Sequence, residues 1–236
     1  LTGAEASLLQ EIASLLGVYA CINIATVALA ITMKWILLGR IKPGRYPLWG
    51  AYYYRWWLAQ HFLALTHMKW FQGSSIMRLY LQALGAKVGA GAIISEVEIG
   101  APDLVSIGAG ACIGSKVKFA NARVEGADFI IGPMEIGDDA YIGTSCVLED
   151  DVVVGESAEL KDLTSLPAGA RVGKAELWDG SPGAKVGMVD LAELPAPAEA
   201  SAIRKTINTF VFTLLLLVVP PISLLPIFPS FWVFDK

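Results

Sequence analysis

Residues able to move protons are few and unevenly spread along this chain. It has only two histidines, His61 and His67, and none follows them. In the remaining sequence, proton transfer falls to Asp and Glu. Three cysteines, Cys21, Cys112 and Cys146, show no CxxC or paired spacing. They support neither a metal site nor a disulfide framework and read as small apolar filler. Charged groups stand out where an otherwise regular pattern breaks. One break is Glu96-Val-Glu-Ile-Gly-Ala-Pro-Asp103, which puts Glu98 where a small residue belongs. The other runs from Phe119 to Ile131 and holds Asn121, Arg123 and Glu125. An unpaired arginine inside a closed coil would be costly, so this second stretch must bulge outward. A loop leaving a regular coil is a place to look for chemistry; the plain alternative is an ordinary surface loop.

The pattern being broken has a period of six. Aliphatic residues recur at Ile136, Ile142, Leu148, Val154, Leu160, Leu166 and Val172. Gly often follows, as at Gly137, Gly143, Gly155 and Gly173, and is expected to relieve a corner. Four residues after each of the first six aliphatics stands Ala140, Cys146, Val152, Ala158, Thr164 or Ala170. Val88, Ile107 and Ile113 begin the same phrase earlier. A six-residue period fits neither a helix nor a hairpin and marks a parallel β-helix. Three hexads close a triangular coil, and the span allows roughly four to five coils. The expected fold class is mainly β: a left-handed parallel β-helix over 86–187, flanked by transmembrane α-helices and an interfacial helix. The hand rests on likeness to known hexapeptide proteins.

Composition supplies the flanks. Hydrophobic residues make up 55% and charged residues 17%, with mean hydropathy +0.55. Soluble domains carry about 25% charged residues, so lipid contact is expected. Formal charge is −4 with no basic run, which argues against nucleic acid as a partner. Ile12 to Met33 is uncharged, and a transmembrane helix is expected over 7–39. Residues 50–85 carry Tyr52, Tyr53, Tyr54, Trp56, Trp57, Phe62, Trp70 and Phe71. They read as an interfacial helical segment on the bilayer or, alternatively, as core packed against the next domain. A Pro/Ala/Glu linker over 188–203 and a kinked spanning helix over 204–234 complete the chain; a shallow re-entrant hairpin is the alternative to the latter. Lys34, Arg40, Lys42 and Arg45 before the β domain, and Arg204 and Lys205 after it, put that domain on the cytoplasmic face of a multi-pass protein. The chain starts at Leu1, which reads as a fragment or a processed chain.

Hexapeptide β-helices are most often acyltransferases, and those enzymes usually carry a histidine base on the coil; this coil has none. A more particular likeness lies in LQALGAKVGAGA (81–92), PDLVSIGAGACIG (102–114), NARVEGADFIIGPMEIGDDAYIGTSCVL (121–148), SLPAGARV (165–172) and WDGSP (178–182). These phrases, and the order span, aromatic helix, hexad domain, span, resemble the C-terminal membrane-embedded region of the ε-poly-L-lysine synthetase family of nonribosomal peptide synthetases. The resemblance implies an acyltransferase-like domain forming amide bonds from aminoacyl thioesters on the phosphopantetheine arm of a carrier domain. It implies no metal. Glu125 or Asp103 would act as base or hold the cationic amine. Asn121 and Arg123 would orient the acyl carbonyl. His67, with His61, would overhang the coil from the aromatic helix. Gly180, Ser181 and Pro182 resemble the phrase at which hexapeptide acyltransferases meet the pantetheine arm. Tandem or trimeric β-helix neighbours are expected partners. The competing functions are a coenzyme A-dependent acyltransferase and a non-catalytic docking or export scaffold.

Overall fold

The computed structural model describes residues 3–66, 71–190 and 202–222. His67 lies outside them, as do most of the expected linker and the end of the chain from 223 on. Helix α1 (Gly3–Leu38) contains the apolar stretch Leu16–Leu38, long and apolar enough to cross a membrane. It ends at Gly39, whose φ of +60° suits a helix-terminating glycine. Strand β1 (Gly44–Pro47), helix α2 (Ala51–Ala64) and helix α3 (Ser75–Ala83) follow.

The hexads then build coils. Strands β2 (Lys87–Val88), β3 (Ile93–Ile94) and β4 (Val97–Ile99) form the first, and β5 (Val105–Ile107), β6 (Cys112–Ile113) and β7 (Val117–Ala120) the second. The chain leaves the coil as a hairpin, β8 (Ala122–Glu125) and β9 (Asp128–Ile131). It returns as β10 (Met134–Ile136), β11 (Tyr141–Ile142) and β12 (Val147–Glu149), then β13 (Val152–Val154), β14 (Glu159–Leu160) and β15 (Ser165–Leu166). Strands β16 (Arg171–Val172) and β17 (Glu176–Asp179) begin a fifth coil, and β18 (Ala184–Met188) folds back antiparallel on β17. Parallel pairing stacks these strands into three faces, β2-β5-β10-β13-β16, β3-β6-β11-β14-β17 and β4-β7-β12-β15. A triangular parallel β-helix of four full coils and part of a fifth results.

The six-residue aliphatics fill its interior. Ile136, Ile142, Leu148, Val154, Leu160, Leu166 and Val172 are each at most 3% exposed. At the first break the third side is one residue short. Val97 pairs with Val117 and Ile99 with Phe119, so Val97 and Ile99 turn inward and Glu98 points out. The hexad glycines act differently from expectation. The corners that need positive φ are occupied by Asp139, Ser145, Asp151, Ser157 and Leu163. Gly108, Gly137 and Gly155 instead lie under the next coil: a Cβ there would sit 2.4, 2.6 and 2.7 Å from its backbone atoms. Close stacking, not the bend, demands glycine.

The flanking elements grip the coil. Strand β1 pairs with β9 and extends the hairpin to three strands. Phe129 of β9 packs against Tyr53 and Trp56 of α2, with ring centroids 5.2 and 4.6 Å away. Trp56 Nε1 and Gln60 Nε2 both donate to the Gly100 carbonyl. One side of α2 is therefore core, and the other leaves Tyr54, Trp57 and Leu58 exposed. Helix α4 (Ala202–Ile222) packs on α1. Helix α4 covers the first part of the spanning segment expected over 204–234, and the rest of that segment, from 223 on, lies outside the described residues.

Candidate functional site

An open groove of about 720 Å³ lies between α2, α3 and the first two coils. Its size is ordinary for a small-molecule site. Leu63, Ala64, Met77, Leu81 and Leu84 of the helical segments line it with apolar surface, against the outer face of β4 and β7. His61, Gln72, Glu98, Lys116 and Lys118 stand around it. Lys118 pairs with Glu98 at 3.3 Å across β4 and β7.

His61 reaches the groove from the last turn of α2. Its Nδ1 lies 2.9 Å from the Trp57 carbonyl, and its ring is 3.8 Å from the Trp57 ring centroid. A carbonyl can only accept, so Nδ1 carries the proton and, in the neutral ring, Nε2 keeps its lone pair. Across the groove, Thr66 Oγ1 donates to the Leu63 carbonyl at 2.6 Å and therefore accepts from Tyr80. Burial pushes the Tyr80 phenol above its usual range, against the opposing effect of Thr66. The groove thus offers an oriented base, a neutral phenol and an apolar channel. That set can bind a largely apolar arm and take a proton from a nucleophile at its mouth.

The residues expected from sequence fall elsewhere. Asp103 is corrected from a solvent-facing base to half of a buried ion pair. Its Oδ2 lies 2.7 Å from Lys34 Nζ, with side chains 8% and 1% exposed. Lys34 also sits 3.6 Å from the Trp35 ring centroid. Asn121 is fully buried and cannot orient a substrate carbonyl. Its Oδ1 accepts from Ala101 N at 3.0 Å, and its Nδ2 donates to the Ala101 carbonyl at 2.9 Å. It splices the hairpin's entry to the first coil. Arg123 does lie on the expected bulge, but it is held by Asp150 at 2.5 Å and Glu125 at 3.0 Å, with Glu149 at 3.9 Å. Those carboxylates, Asp150 first, hold its guanidinium even more firmly protonated. Glu125 is exposed on the hairpin. None of the four lines the groove.

Gly180, Ser181 and Pro182 form the exposed turn between β17 and β18. The Gly180 carbonyl accepts from Ser165 N, and Gly183 N donates to the Ser165 carbonyl, so the turn sits beside β15. Glu176 braces it. Lys185, Trp178 Nε1 and the Gly173 amide all bind this carboxylate, and Lys185 above all holds it down at about 2. That value lies below the ordinary 4.5, so the stabilisation is complete above about pH 4.5 and lost as pH falls towards 2. Amide hydrogen exchange should show the β17–β18 hairpin fraying over that window before the inner coils open.

Sequence reasoning ranked His61 behind the charged breaks because an aromatic helix reads as a headgroup element. The signal that singles it out is helical spacing: Trp57 and His61 are one turn apart, on the side of α2 turned away from the core-facing Trp56 and Ala59.

No family model matches the chain. It is 38% identical over 234 residues to delta-poly-L-ornithine synthetase of Acinetobacter baumannii (strain AB307-0294), a match covering 99% of this chain and 18% of that protein. The chain thus spans less than a fifth of the curated relative's length. Among solved structures, a hexapeptide-repeat-containing acetyltransferase from Vibrio cholerae is 13% identical, covering 71% of this chain and 93% of that one with a TM-score of 0.42. A galactoside acetyltransferase in complex with coenzyme A is also 13% identical, covering 53% and 78% with a TM-score of 0.41.

Proposed function

We propose that this chain is an acyltransferase-like unit of a membrane-bound nonribosomal peptide synthetase, forming amide bonds from aminoacyl thioesters presented on a phosphopantetheine arm. The observation that carries this reading is the 38% identity along 99% of the chain to a segment of a poly-amino-acid synthetase. The groove supports it with an apolar channel and an imidazole whose Nε2 is free to accept. In this reading the left-handed coil is held at the bilayer by α1; His61 takes a proton from the acceptor's ammonium group, the freed amine attacks the thioester carbon, and the C–S bond breaks as the phosphopantetheine thiol leaves with a proton.

The arm has a path in this reading. The outward residues Glu98, Lys118, Val147 and Ser165 stand in register across β4, β7, β12 and β15. At the usual spacing between strands, that column runs about 14–15 Å from the groove to the Gly180–Pro182 turn. An extended pantetheine arm covers such a span, with the turn at its phosphate end and the thioester beside His61. Bound, the arm supplies an activated acyl carbon; the chain's own residues orient it, exclude water along the apolar helical side and accept the proton.

The test offers the purified protein three donors, namely an aminoacyl carrier domain, aminoacyl-coenzyme A and acetyl-coenzyme A, with a free amino acid as acceptor. Mass spectrometry reads the amide product. Amide from the carrier-bound donor is the expected result. Product from acetyl-coenzyme A alone would assign the chain to coenzyme A-dependent acyl transfer. No product from any donor, with the carrier still bound, would leave a docking scaffold.

A further inference from the structure

We propose that Arg40, Lys42 and Arg55, with the exposed aromatic edge of α2, form a binding surface for the headgroups of anionic phospholipids. This inference rests on reading Leu16–Leu38 as a membrane span. Arg40 and Lys42 stand two and four residues beyond Leu38, the last residue of that stretch. The Lys42 carbonyl accepts from the Tyr46 hydroxyl at 3.0 Å. The Tyr46 ring stacks on Tyr52 at 4.2 Å with 13° between planes. Arg55 stands three residues, about one turn, beyond Tyr52 on α2, and its charge acts on that phenol. Lys42 and Arg55 are thus tied to one stacked tyrosine pair, and Arg40 stands two residues before Lys42 at the end of the span.

Their charge is uncommitted. All three side chains belong to exposed residues, and among the described residues none has a carboxylate partner. This contrasts with Lys34, Arg123, Arg171, Lys174 and Lys185, each ion-paired at 3.0 Å or closer. Beside them, Trp49 is 76% exposed, and Tyr54 and Trp57 stand one turn apart on the solvent side of α2. Exposed Trp and Tyr at the end of an apolar span suit the headgroup layer. Unpaired Arg and Lys among them add attraction for negative lipid. The chain as a whole is negative, with formal charge −4, so nonspecific attraction to an anionic surface is not its default. The cations are concentrated where the span meets the coil. His61 lies farther along the same exposed side of α2, so headgroup docking also fixes the groove mouth at the bilayer surface.

The experiment reconstitutes the intact protein in nanodiscs of phosphatidylcholine alone or mixed with phosphatidylglycerol. Native mass spectrometry then counts the lipids retained after extraction. Wild type is expected to retain phosphatidylglycerol over phosphatidylcholine on the order of tenfold, less as salt rises. R40Q/K42Q/R55Q should lose the preference, and R40K/K42R/R55K should keep it. Unfolding of each variant in phosphatidylcholine reports separately on folding. Equal retention of the two lipids by wild type, or preference surviving in the neutral triple variant, overturns the proposal. So does displacement of the retained lipid by inorganic phosphate, which would mark a free-anion site. A protein that enters neither bilayer instead overturns the span reading, and acyl-transfer activity bears on neither outcome.

Discussion

A His61→Gln protein is expected to form amide product roughly 10²–10⁴-fold more slowly than wild type, the usual contribution of a positioned proton acceptor. Glutamine keeps a polar side chain of similar reach but offers no basic nitrogen. The Trp57 carbonyl and ring fix the imidazole, so the lost group is one held in place before substrate arrives. Single-turnover reactions with preloaded thioester donor isolate this step, and donor binding should be unchanged. A change of less than about threefold would return His61 to the role of a headgroup residue and leave the groove without its base. Trp57→Ala should give a smaller loss in the same direction, because it frees the ring while keeping the carbonyl.

The second large effect is expected at Lys34 and Asp103. Removing either partner leaves a charge stranded in the interior, which costs about 3–5 kcal/mol. Lys34→Ala and Asp103→Ala should each lower the unfolding midpoint sharply, whereas K34M/D103L should recover most of the loss by removing both charges together. Unfolding curves of the four proteins in one detergent make the comparison. If the double variant were as unstable as the singles, packing rather than charge would explain the site. The pair has a further role through its neighbours. Pro102 and Leu84 line the groove, next in sequence to Asp103 and to Gly85, whose Cβ would lie 2.3 Å from Asp103 Oδ1. Lys34 and Asp103 are thus positioning residues for the groove wall.

The coil was readable because a closed triangle leaves a side chain only two destinations. A six-residue period sends Ile142, Leu148 and Leu160 inward whatever surrounds the domain, and all three are fully buried. The interruption at Arg123 was readable for the same reason, since a charge cannot follow them. What Arg123 does there was not. A charged residue at a break looks alike in sequence whether it meets substrate or Asp150. The groove was hidden for a different reason. It arises where α2 and α3 cross the outer face of β4 and β7, and no period in either partner encodes that crossing. The aromatic helix was misread in part because both its sides are apolar, one meeting Phe129 and the other left uncovered.

The pairing of β1 with β9 bears on how the chain is made. Gly44 emerges from the ribosome just after α1, but its partner Ile131 follows nearly ninety residues later. At ordinary rates of synthesis that gap lasts about 4–18 s. The first two coils, which end at Ala120, emerge late in that gap and before the three-stranded sheet that fastens them, and Lys34 waits most of that time for Asp103. Membrane insertion of α1 therefore precedes attachment of the coil, and a nascent chain stalled before Ile131 should be open to protease at β1 while α1 is already protected.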